Sequence, residues 1–422
     1  MLYYERGSRE DVISPQEVRD ALRGVFDGFG PRKRVLAIPP DFTRLNSYAG
    51  EITSMVQDYY GEALTDVLPA LGTHTAMTGD QIRTMFRGVP ESKFRVHDWR
   101  NGVETVGKVP ASYIEEVSEG RLHYGMKAQV NRMLLDPSFD LMLSIGQVVP
   151  HEVAGMANYT KNIFVGVGGS DFINKSHFIG ASYGLERIMG RAGGPVREVF
   201  EYARTRFIPD LPIIYVLTVR AKENGEMVTK GLFIGDDFEC FRKACELSLE
   251  TNFIMVEKPI RKCLVWLDPA EFKSTWLGNK AVYRTRMALA DGAELIILAP
   301  ALKEFGEDPA IDRLIRKYGY KGTPHTLECT ERNAELRENL GASAHLIHGS
   351  SEGRFSITYA PGPGMSKEEI EGVGYCWGDL EALISKYYPD TLQDGWNVVD
   401  GEEIYFISNP ALGLWAHRSR FV

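Results

Sequence analysis

Residues 141–151 of the chain read LMLSIGQVVPH, an apolar stretch that runs into Gly146, Gln147 and finally His151. Nearly continuous apolar residues are typical of a strand covered on both faces of a parallel sheet, so Leu141–Ile145 is predicted to be such a strand. In open parallel sheets, ligands bind beyond the carboxyl ends of the strands. The stretch therefore predicts an α/β fold and places His151 at the edge where such a fold binds ligands.

Similar short apolar runs alternate with longer helical patterns along the chain. The other predicted strands are Arg34–Ile38, Val67–Leu71, Phe94–His97, Ile163–Val167, Ile213–Thr218, Cys263–Leu267, Glu294–Leu298, Phe355–Tyr359 and Ile404–Ile407. Helices are predicted at Ser14–Phe26 and Ser366–Glu371, each opening on a serine cap followed by acidic residues. This alternation predicts two α/β domains with mostly parallel sheets, divided into residues 1–260 and 261–422.

Composition and charge exclude several classes of protein. The 422 residues carry 48 Lys and Arg against 57 Asp and Glu, a net charge of −9, without the basic excess of a nucleic-acid binder. We find no signal-peptide pattern at the N-terminus, and the apolar runs are far shorter than the ~20 residues that span a bilayer. Five cysteines without a CxxC spacing suggest a reducing compartment. We expect a cytoplasmic enzyme that binds neither nucleic acid nor membranes.

Residues suited to catalysis follow four of the predicted strands. They are Asp41, Thr43 and Arg44 after the first strand, His74 after the second, His151 after the fourth, and Gly168, Gly169 and Ser170 after the fifth, with His177 shortly beyond. Because the carboxyl ends of parallel strands meet at one edge of a sheet, we expect these residues to converge there.

The residue types at this edge favour acid–base chemistry. Imidazole in general titrates near neutral pH, so one of the side chains of His74 and His151 can take a proton while the other gives one. Arg44 suits bidentate binding of a carboxylate or phosphate, with a surface ion pair as the alternative. Asp41 could equally serve only as a helix cap. His97 is predicted to be structural rather than a substrate contact, because histidine is often partly inside the protein.

The stretch from Lys161 to His177 is less specific. Gly166–Ser170 resembles a turn whose backbone N–H groups face a phosphate, but it lacks the spacing of GxGxxG and of the P-loop. Lys161 lies in an otherwise apolar stretch, where a lysine is costly unless it is paired or chemically used. His177 could bind nickel, copper or zinc. Since one histidine cannot make a metal site, any metal must bring most of its own ligands.

Together these motifs resemble the nickel-dependent lactate racemase family. The resemblance rests on Asp41-x-x-Arg44, Gly72-Thr73-His74, Gly146-Gln147-x-x-Pro150-His151-x-x-Ala154-Gly155, Lys161 and His177. It implies two α/β domains with the active site in the cleft between them. It also implies a nickel pincer nucleotide, a nicotinate-derived mononucleotide joined covalently to Lys161, with His177 as the protein ligand of nickel. Other enzymes would make this cofactor and deliver it through transient contacts.

The resemblance further implies that the protein inverts C2 of a 2-hydroxy acid by proton-coupled hydride transfer. His74 and His151 match the pair of histidines that serve the two enantiomers. Arg44 would hold the substrate carboxylate, and Asp41 would orient a partner in the site. We also predict that Thr43 and the Gly168–Ser170 turn contact the cofactor.

The sequence departs from the family where the substrate is expected to bind. The family's Tyr-Gln-x-x-Lys stretch is here Trp276-Leu277-Gly278-Asn279-Lys280, which keeps Lys280 and places Trp276 at the tyrosine position. The small residues before the tether are replaced by Met156-Ala157-Asn158-Tyr159-Thr160. Together with His97 and Asp98, the polar side chains of Asn158, Tyr159 and Thr160 favour a polyhydroxy acid such as gluconate. Tyr159, Lys280 and Trp276 are the predicted contacts to that substrate besides Arg44 and Asp41.

Several alternatives stay open at this point. Trp276 suits an aromatic hydroxy acid, lactate or another short-chain acid is a further alternative, and the polar residues could simply bond to backbone. An NAD-linked oxidoreductase would rest on the Gly-rich turn alone, and a non-catalytic sensor would keep the pocket without the chemistry. The presence of both His74 and His151 favours the racemase or epimerase.

Overall fold

The computed structural model describes residues 1–223, 225–411 and 413–421. They form two compact units, the first made of 1–176 and 189–252, the second of 177–188 and the described residues from 253 onward. The division drawn from the sequence differs at 177–188 and 253–260, which cluster with the second unit. Strand Phe253–Val256 belongs there because it pairs in parallel with Leu414–His417.

A six-stranded sheet forms the centre of the first unit. The strands of this unit are β1 (Leu2–Gly7), β2 (Val35–Ile38), β3 (Leu64–Val67), β4 (Val103–Val109), β5 (Met126–Asn131), β6 (Leu141–Gln147), β7 (Pro150–His151), β8 (Gly155–Met156), β9 (Ile213–Glu223) and β10 (Glu226–Gly235). The sheet has the order β1-β10-β9-β6-β2-β3. Strands β9, β6, β2 and β3 run parallel, and β10 and β1 continue the sheet antiparallel. The predicted α/β class with mostly parallel sheets is thereby confirmed.

The helix predicted at Ser14–Phe26 begins at its serine cap. The helices up to residue 252 are α1 (Pro15–Phe29), α2 (Ala49–Tyr60), α3 (Gly79–Met85), α4 (Ala111–Val117), α5 (Ser170–Tyr183), α6 (Leu185–Ile188), α7 (Pro195–Phe207) and α8 (Phe238–Asn252). At the start of α1, Ser14 Oγ accepts from the backbone N–H of Glu17 at 3.3 Å, and Glu17 accepts from the N–H of Ser14 at 2.8 Å. This reciprocal cap fixes the first turn, and Val18, Leu22 and Phe26 then pack into the core above β2, β3 and β6.

The second unit is built around another mostly parallel sheet. Its strands are β11 (Phe253–Val256), β12 (Ile260–Trp266), β13 (Leu289–Ala299), β14 (Ser356–Pro361), β15 (Cys376–Trp377), β16 (Gly395–Val399), β17 (Glu402–Ile407) and β18 (Leu414–His417). Its further helices are α9 (Thr275–Gly278), α10 (Lys280–Tyr283), α11 (Pro309–Tyr318), α12 (Thr323–Arg332), α13 (Ala334–Glu338), α14 (Leu340–His348), α15 (Lys367–Gly372) and α16 (Leu380–Tyr387). The sheet order is β15-β14-β13-β12-β17-β16, with only β16 antiparallel to its neighbour. Across the described parts of the chain, no helix is long and apolar enough to cross a membrane.

Three of the predicted strands are wrong or displaced. Ile163–Val167 lies in a π-helical turn, Asn162–Gly166, instead of a strand. The strand expected at Val67–Leu71 ends at Val67, and Phe94–His97 contributes a single bridge to Val67. A short apolar run fits a strand and a buried turn equally well, because periodicity cannot separate the two.

The backbone before Lys161 adopts an uncommon conformation. Asn158 and Tyr159 have φ values of 68° and 58°, in the left-handed region that residues other than glycine rarely enter. Arg197, on α7, donates from its guanidinium to the carbonyl of Met156 at 2.8 Å and to that of Asn158 at 3.4 Å. These hydrogen bonds hold the segment from residue 156 to residue 160 in a shape that the chain would not adopt by itself.

The guanidinium that holds this segment is inside the protein. Arg197 is 2% exposed, stacks over the ring of Phe241 at 4.3 Å, and donates to the hydroxyl of Thr160 at 2.9 Å. Thr160 donates in turn to Oε1 of Glu201 at 2.8 Å. Burial lowers the pKa of Arg197 and raises that of Glu201, and each charge opposes the shift of the other. We refer to Arg197, Thr160 and Glu201 as the arginine cluster.

Removal of the arginine should loosen the segment before Lys161. We expect Arg197→Met to lower the free energy of unfolding of the first unit by about 3–5 kcal/mol, because buried acceptors and Glu201 lose their cation. Denaturant unfolding and hydrogen exchange of residues 156–161 would measure the loss. Arg206→Met, at the exposed end of the same helix, is the matched control and should change stability by less than about 0.5 kcal/mol. Equal stability and exchange in the two variants would contradict this role of the cluster.

Candidate active site

Two loops of the first unit, at the carboxyl ends of β2 and β3, lie side by side. After β2, Asp41 begins a 3-10 helix, Phe42–Ser47, and accepts a hydrogen bond from the backbone N–H of Thr43 at 3.1 Å. After β3, the N–H of Ala70 donates to the carbonyl of Pro39 at 2.7 Å and holds the second loop against the first. Asp41 therefore acts as the helix cap that its residue type favours, and it does so at the predicted edge of the sheet.

The second loop brings His74 to Asp41. Nδ1 of His74 lies 2.6 Å from Oδ2 of Asp41, and 51% of the histidine side chain is exposed. Burial alone would raise the pKa of Asp41, but the hydrogen bonds from His74 and Thr43 and the charge of Arg44 outweigh burial and hold it below its usual range. An ionised carboxylate can only accept hydrogen bonds, so Nδ1 of His74 carries the proton and Nε2 keeps its lone pair in the neutral ring.

Thr43 and Arg44 lie on the exposed side of the same 3-10 helix. The hydroxyl of Thr43 donates to Oδ1 of Asp41, which adds a second hydrogen bond to the carboxylate. The guanidinium of Arg44 faces the solvent, with Nη1 3.5 Å from the carbonyl oxygen of Thr43. An exposed guanidinium beside the Asp41–His74 pair suits a carboxylate ligand. The contact of Thr43 with a cofactor stays a prediction.

His151 follows β6 and lies inside the small β7–β8 hairpin. Its side chain is 10% exposed. Nδ1 accepts from the backbone N–H groups of Val153 at 3.1 Å and of Ala154 at 3.4 Å. Oε2 of Glu152 is 3.9 Å from the same nitrogen. Because Nδ1 is an acceptor here, the neutral ring carries its proton on Nε2.

Lys161 precedes the π-helical turn, and the next residue anchors that turn to the sheet. Asn162 Nδ2 donates to the carbonyl of Ile38, at the end of β2, at 3.1 Å and to Oγ of Ser144, on β6, at 2.9 Å. Burial lowers the pKa of the Lys161 amine to about 8, and the positive charge of Arg44 acts in the same direction. The amine therefore loses its proton more readily than that of an ordinary lysine, which raises the fraction of nucleophilic free amine.

The glycines after this turn have a packing explanation. A Cβ on Gly168 would lie 1.8 Å from the carbonyl oxygen of Phe164, and one on Gly169 would lie 2.5 Å from Oε1 of Gln129. Ser170 is the first residue of α5. Close packing therefore accounts for the glycines, and the predicted phosphate contact of Gly168, Gly169 and Ser170 stays a prediction. The turn also follows a helical segment rather than the strand that a dinucleotide site requires.

Three residues predicted to favour a polyhydroxy substrate form hydrogen bonds within the protein instead. Tyr159 is 3% exposed, its hydroxyl donates to Glu201 at 3.4 Å, and its ring stacks on that of Phe241 at 5.0 Å between centroids. Asn158 accepts from the N–H of Tyr159 at 2.7 Å, and Thr160 belongs to the arginine cluster. Tyr159 is thus an internal residue, and its proposed contact with substrate does not fit this structure.

The other two polar residues also have internal partners. His97 is 3% exposed, its Nε2 donates to the carbonyl of Gly168 at 2.9 Å, and its Nδ1 accepts from Asn131 at 3.0 Å. Asp98 accepts from the backbone N–H groups of Arg100 and Asn101, each at 3.0 Å. Both side chains therefore shape the polypeptide, as the structural interpretation of His97 predicts.

The remaining predicted residues belong to the second unit. The ring of Trp276 lies 4.3 Å from that of His345, and Nζ of Lys280 is 3.6 Å from Oε1 of Glu271. His177 lies on α5 and is half-buried. The structure thus brings Asp41, His74, His151 and Lys161 to one edge of the first sheet. The substrate contacts of Trp276 and Lys280 and the metal contact of His177 stay predictions.

Sequence reasoning overlooked three polar residues that make several hydrogen bonds inside their own units. Asn162 and Arg197 act on either side of Lys161, and Asn279 of the second unit accepts from the hydroxyls of Tyr359 at 2.8 Å and Tyr375 at 3.0 Å. Asn162 directly follows Lys161, which the sequence analysis singles out. A polar side chain at this place in an apolar run could have indicated a buried hydrogen-bonded residue. Tyr359 and Tyr375 lie 80 and 96 residues after Asn279 in the sequence, so no local pattern connects them to it.

Among the described residues, no three or more His, Cys, Asp or Glu side chains gather into a group that could hold a metal ion. The roles of Lys161 as a tether and of His177 as a metal ligand stay predictions.

The lowered pKa of Lys161 is testable by competitive labelling. We expect its acetylation by trace acetic anhydride to rise with pH around a midpoint near 8, whereas ordinary exposed lysines follow a pKa of about 10.4. Peptide mass spectrometry would follow each lysine. Arg44→Gln should move the midpoint upward, because one positive charge near the amine is removed. Labelling of Lys161 in step with exposed lysines would contradict the buried, charge-coupled amine.

Comparisons with known proteins agree with this geometry. Residues 23–184 match the model of the lactate racemase N-terminal domain. The crystal structure of a protein from Thermotoga maritima has a TM-score of 0.83 at 22% identity and covers 97% of this chain and 100% of that chain. The lactate racemase apoprotein from Thermoanaerobacterium thermosaccharolyticum has a TM-score of 0.71 at 16% identity and covers 96% of this chain and 93% of that chain. At these identities the two structures show the fold alone. No curated protein sequence matches the chain.

The matched residues 23–184 contain Asp41, His74, His151, Lys161 and His177. The family match thus covers every motif on which the resemblance rests within the first unit and α5. The resemblance is thus confirmed for residues 23–184, which match the lactate racemase N-terminal domain.

Proposed function

We propose that the protein is a racemase or epimerase that inverts C2 of a 2-hydroxy acid. The observation that carries the proposal is the Asp41–His74 pair beside Lys161, at the sheet edge of a lactate racemase N-terminal domain. The pair supplies an oriented base, and the exposed guanidinium of Arg44 supplies a binding group for the substrate carboxylate. Proton removal from a 2-hydroxy acid needs both.

The residues divide the work as follows. Asp41 holds the ring of His74 and stabilises the imidazolium that forms when Nε2 takes the hydroxyl proton. Arg44 orients the acid through its carboxylate, and His151 offers a second imidazole at the end of the neighbouring strand. Proton transfer of this kind contributes about 10²–10⁴-fold to a rate.

Lys161 and His177 fit a tethered nickel pincer nucleotide. The amine of Lys161 has a pKa of about 8, so free amine is present at neutral pH for the covalent link. His177 is the proposed metal ligand. When bound, the cofactor would accept the C2 hydride and return it to the other face of the planar carbon, and the protein supplies placement and proton transfer.

The preference for a polyhydroxy acid such as gluconate loses its support in the first unit. It rested on five polar residues, and each of them is hydrogen-bonded within the protein: His97, Asp98, Asn158, Tyr159 and Thr160. We therefore propose the broader class of 2-hydroxy acids. Lactate, aldonic acids and aromatic hydroxy acids form the panel to be assayed, with Trp276 and Lys280 as proposed substrate contacts.

The cofactor is tested by the intact mass of protein made in a host that synthesises it. We expect an adduct of mononucleotide size, mapped by peptide analysis to Lys161, and nickel in equal amount by metal analysis. Lys161→Ala, made in the same host, should carry no adduct. An unmodified wild-type mass, in a host where a known family member acquires its adduct, would remove the basis for hydride chemistry.

The proton-transfer roles are tested in the loaded enzyme by chiral chromatography of the acid panel. We expect His74→Ala and His151→Ala to lower turnover by at least about 10²-fold with the adduct still in place, because a positioned acid or base is lost. His123→Ala, at an exposed histidine, is the control and should keep the wild-type rate. Full activity in His74→Ala or His151→Ala would defeat the corresponding role.

A further inference from the structure

We propose that the protein holds its two catalytic histidines in opposite tautomers, so that His74 is the resting proton acceptor and His151 the resting hydrogen-bond donor. The Asp41 carboxylate fixes the first, and the backbone N–H groups of Val153 and Ala154 fix the second. The tautomers follow from hydrogen bonds within the chain. Their effect on catalysis rests on the proposed function.

The orientation of His74 follows from what Asp41 can do. The carboxylate already accepts from the hydroxyl and the N–H of Thr43, and it is ionised because its pKa is lowered. At 2.6 Å from Oδ2, Nδ1 of His74 must therefore donate. The neutral ring then keeps the lone pair on Nε2, and 51% of the side chain is exposed to solvent.

The orientation of His151 follows from donors that cannot change. Backbone N–H groups only donate, and two of them, from Val153 and Ala154, reach Nδ1 at 3.1 Å and 3.4 Å. A proton on Nδ1 would point at these two N–H groups and could not form a hydrogen bond with either. The neutral ring is therefore protonated on Nε2, and this nitrogen can donate a hydrogen bond to an oxygen of the substrate but cannot take a proton.

The carboxylate of Glu152 does not reverse the assignment of His151. Oε2 of Glu152 lies 3.9 Å from Nδ1 of His151, farther than either backbone N–H and outside hydrogen-bond distance. The positive charge of Arg44 acts on Asp41 in the direction that lowers its pKa, which favours the ionised carboxylate. The carboxylate that orients His74 is thus supported by its surroundings.

The two enantiomers then meet different starting states. For the one that reaches His74, the hydroxyl proton would pass to Nε2 as the acid is oxidised to a 2-keto acid, and the proposed cofactor, when bound, would supply the hydride acceptor. For the one that requires His151 as base, Nδ1 must first receive the ring proton and lose its two backbone donors. The first half-reaction should therefore be faster than the second, while the overall equilibrium is unaffected.

The tautomers can be read directly by NMR on the cofactor-free full chain labelled with ¹⁵N-histidine. His74→Asn and His151→Asn identify the two sets of signals by their disappearance. In the neutral rings we expect a protonated Nδ1 in His74 and a protonated Nε2 in His151. The same tautomer in both rings, or the reverse assignment, would overturn the proposal. Because the experiment needs neither cofactor nor turnover, it fails or succeeds separately from the proposed function.

The role of Asp41 as a positioning residue is tested by Asp41→Asn, which keeps a good helix cap. We expect the His74 signals to shift toward a mixture of tautomers while those of His151 stay unchanged. Glu152→Gln is the matched control, and it should leave both rings as in the wild type. A His74 tautomer that is unchanged in Asp41→Asn would show that another group sets it.

In the loaded enzyme, single-turnover formation of 2-keto acid separates the half-reactions. We expect Asp41→Asn to slow the reaction of one enantiomer by about 10²-fold or more, and that of the other far less. Equal slowing of both enantiomers would contradict the unequal roles of the two histidines.

Discussion

The first unit depends on two hydrogen bonds from one amide side chain. Asn162 donates to the carbonyl of Ile38 and to the hydroxyl of Ser144, so it ties the π-helical turn across the ends of β2 and β6. A buried polar group needs partners, and these two exist only where neighbouring parallel strands end together. The residue before it, Lys161, is thereby fixed at the sheet edge, close to the loops that carry Asp41 and His74.

The arginine cluster supplies the complementary constraint from the other side of Lys161. Two consecutive residues in the left-handed region cost free energy, and such strain persists only when the surroundings over-determine it. A guanidinium that is 2% exposed is also costly, and Arg197 offsets this by bonding to the carbonyls of the strained segment and to Thr160. Strain and buried charge thus stabilise each other at the segment that presents the amine.

The sequence predicted the parts of the fold whose signals are local and missed those that depend on distant partners. Strand β2, most of β6 and the last five residues of β13 are nearly continuous apolar runs because both faces are covered, so composition marks them. The edge strand β1, LYYERG, alternates between half-buried and exposed residues and gave no such signal.

The motifs at the strand ends led to Asp41, His74, His151 and Lys161. Tyr159 was wrongly assigned to the substrate, because its burial against Phe241 depends on a helix about 80 residues further along the chain. Side-chain direction of that kind is set by tertiary packing, which one sequence does not display.

The two histidines show how local and distant contacts can give one site two different chemical states. The partner of His74 is 33 residues earlier, so its tautomer exists only when the loops after β2 and β3 are in register. The donors to His151 lie two and three residues further along the chain, so its tautomer is set by the hairpin itself. A change that loosens the loop pairing would therefore release His74 while leaving His151 oriented. The proposed function calls for bases on two opposite faces of the substrate, and in this chain one histidine is oriented by an ionised carboxylate and the other by backbone geometry. The asymmetry is a direct result of placing one histidine on a long-range pairing of loops and the other in a local turn.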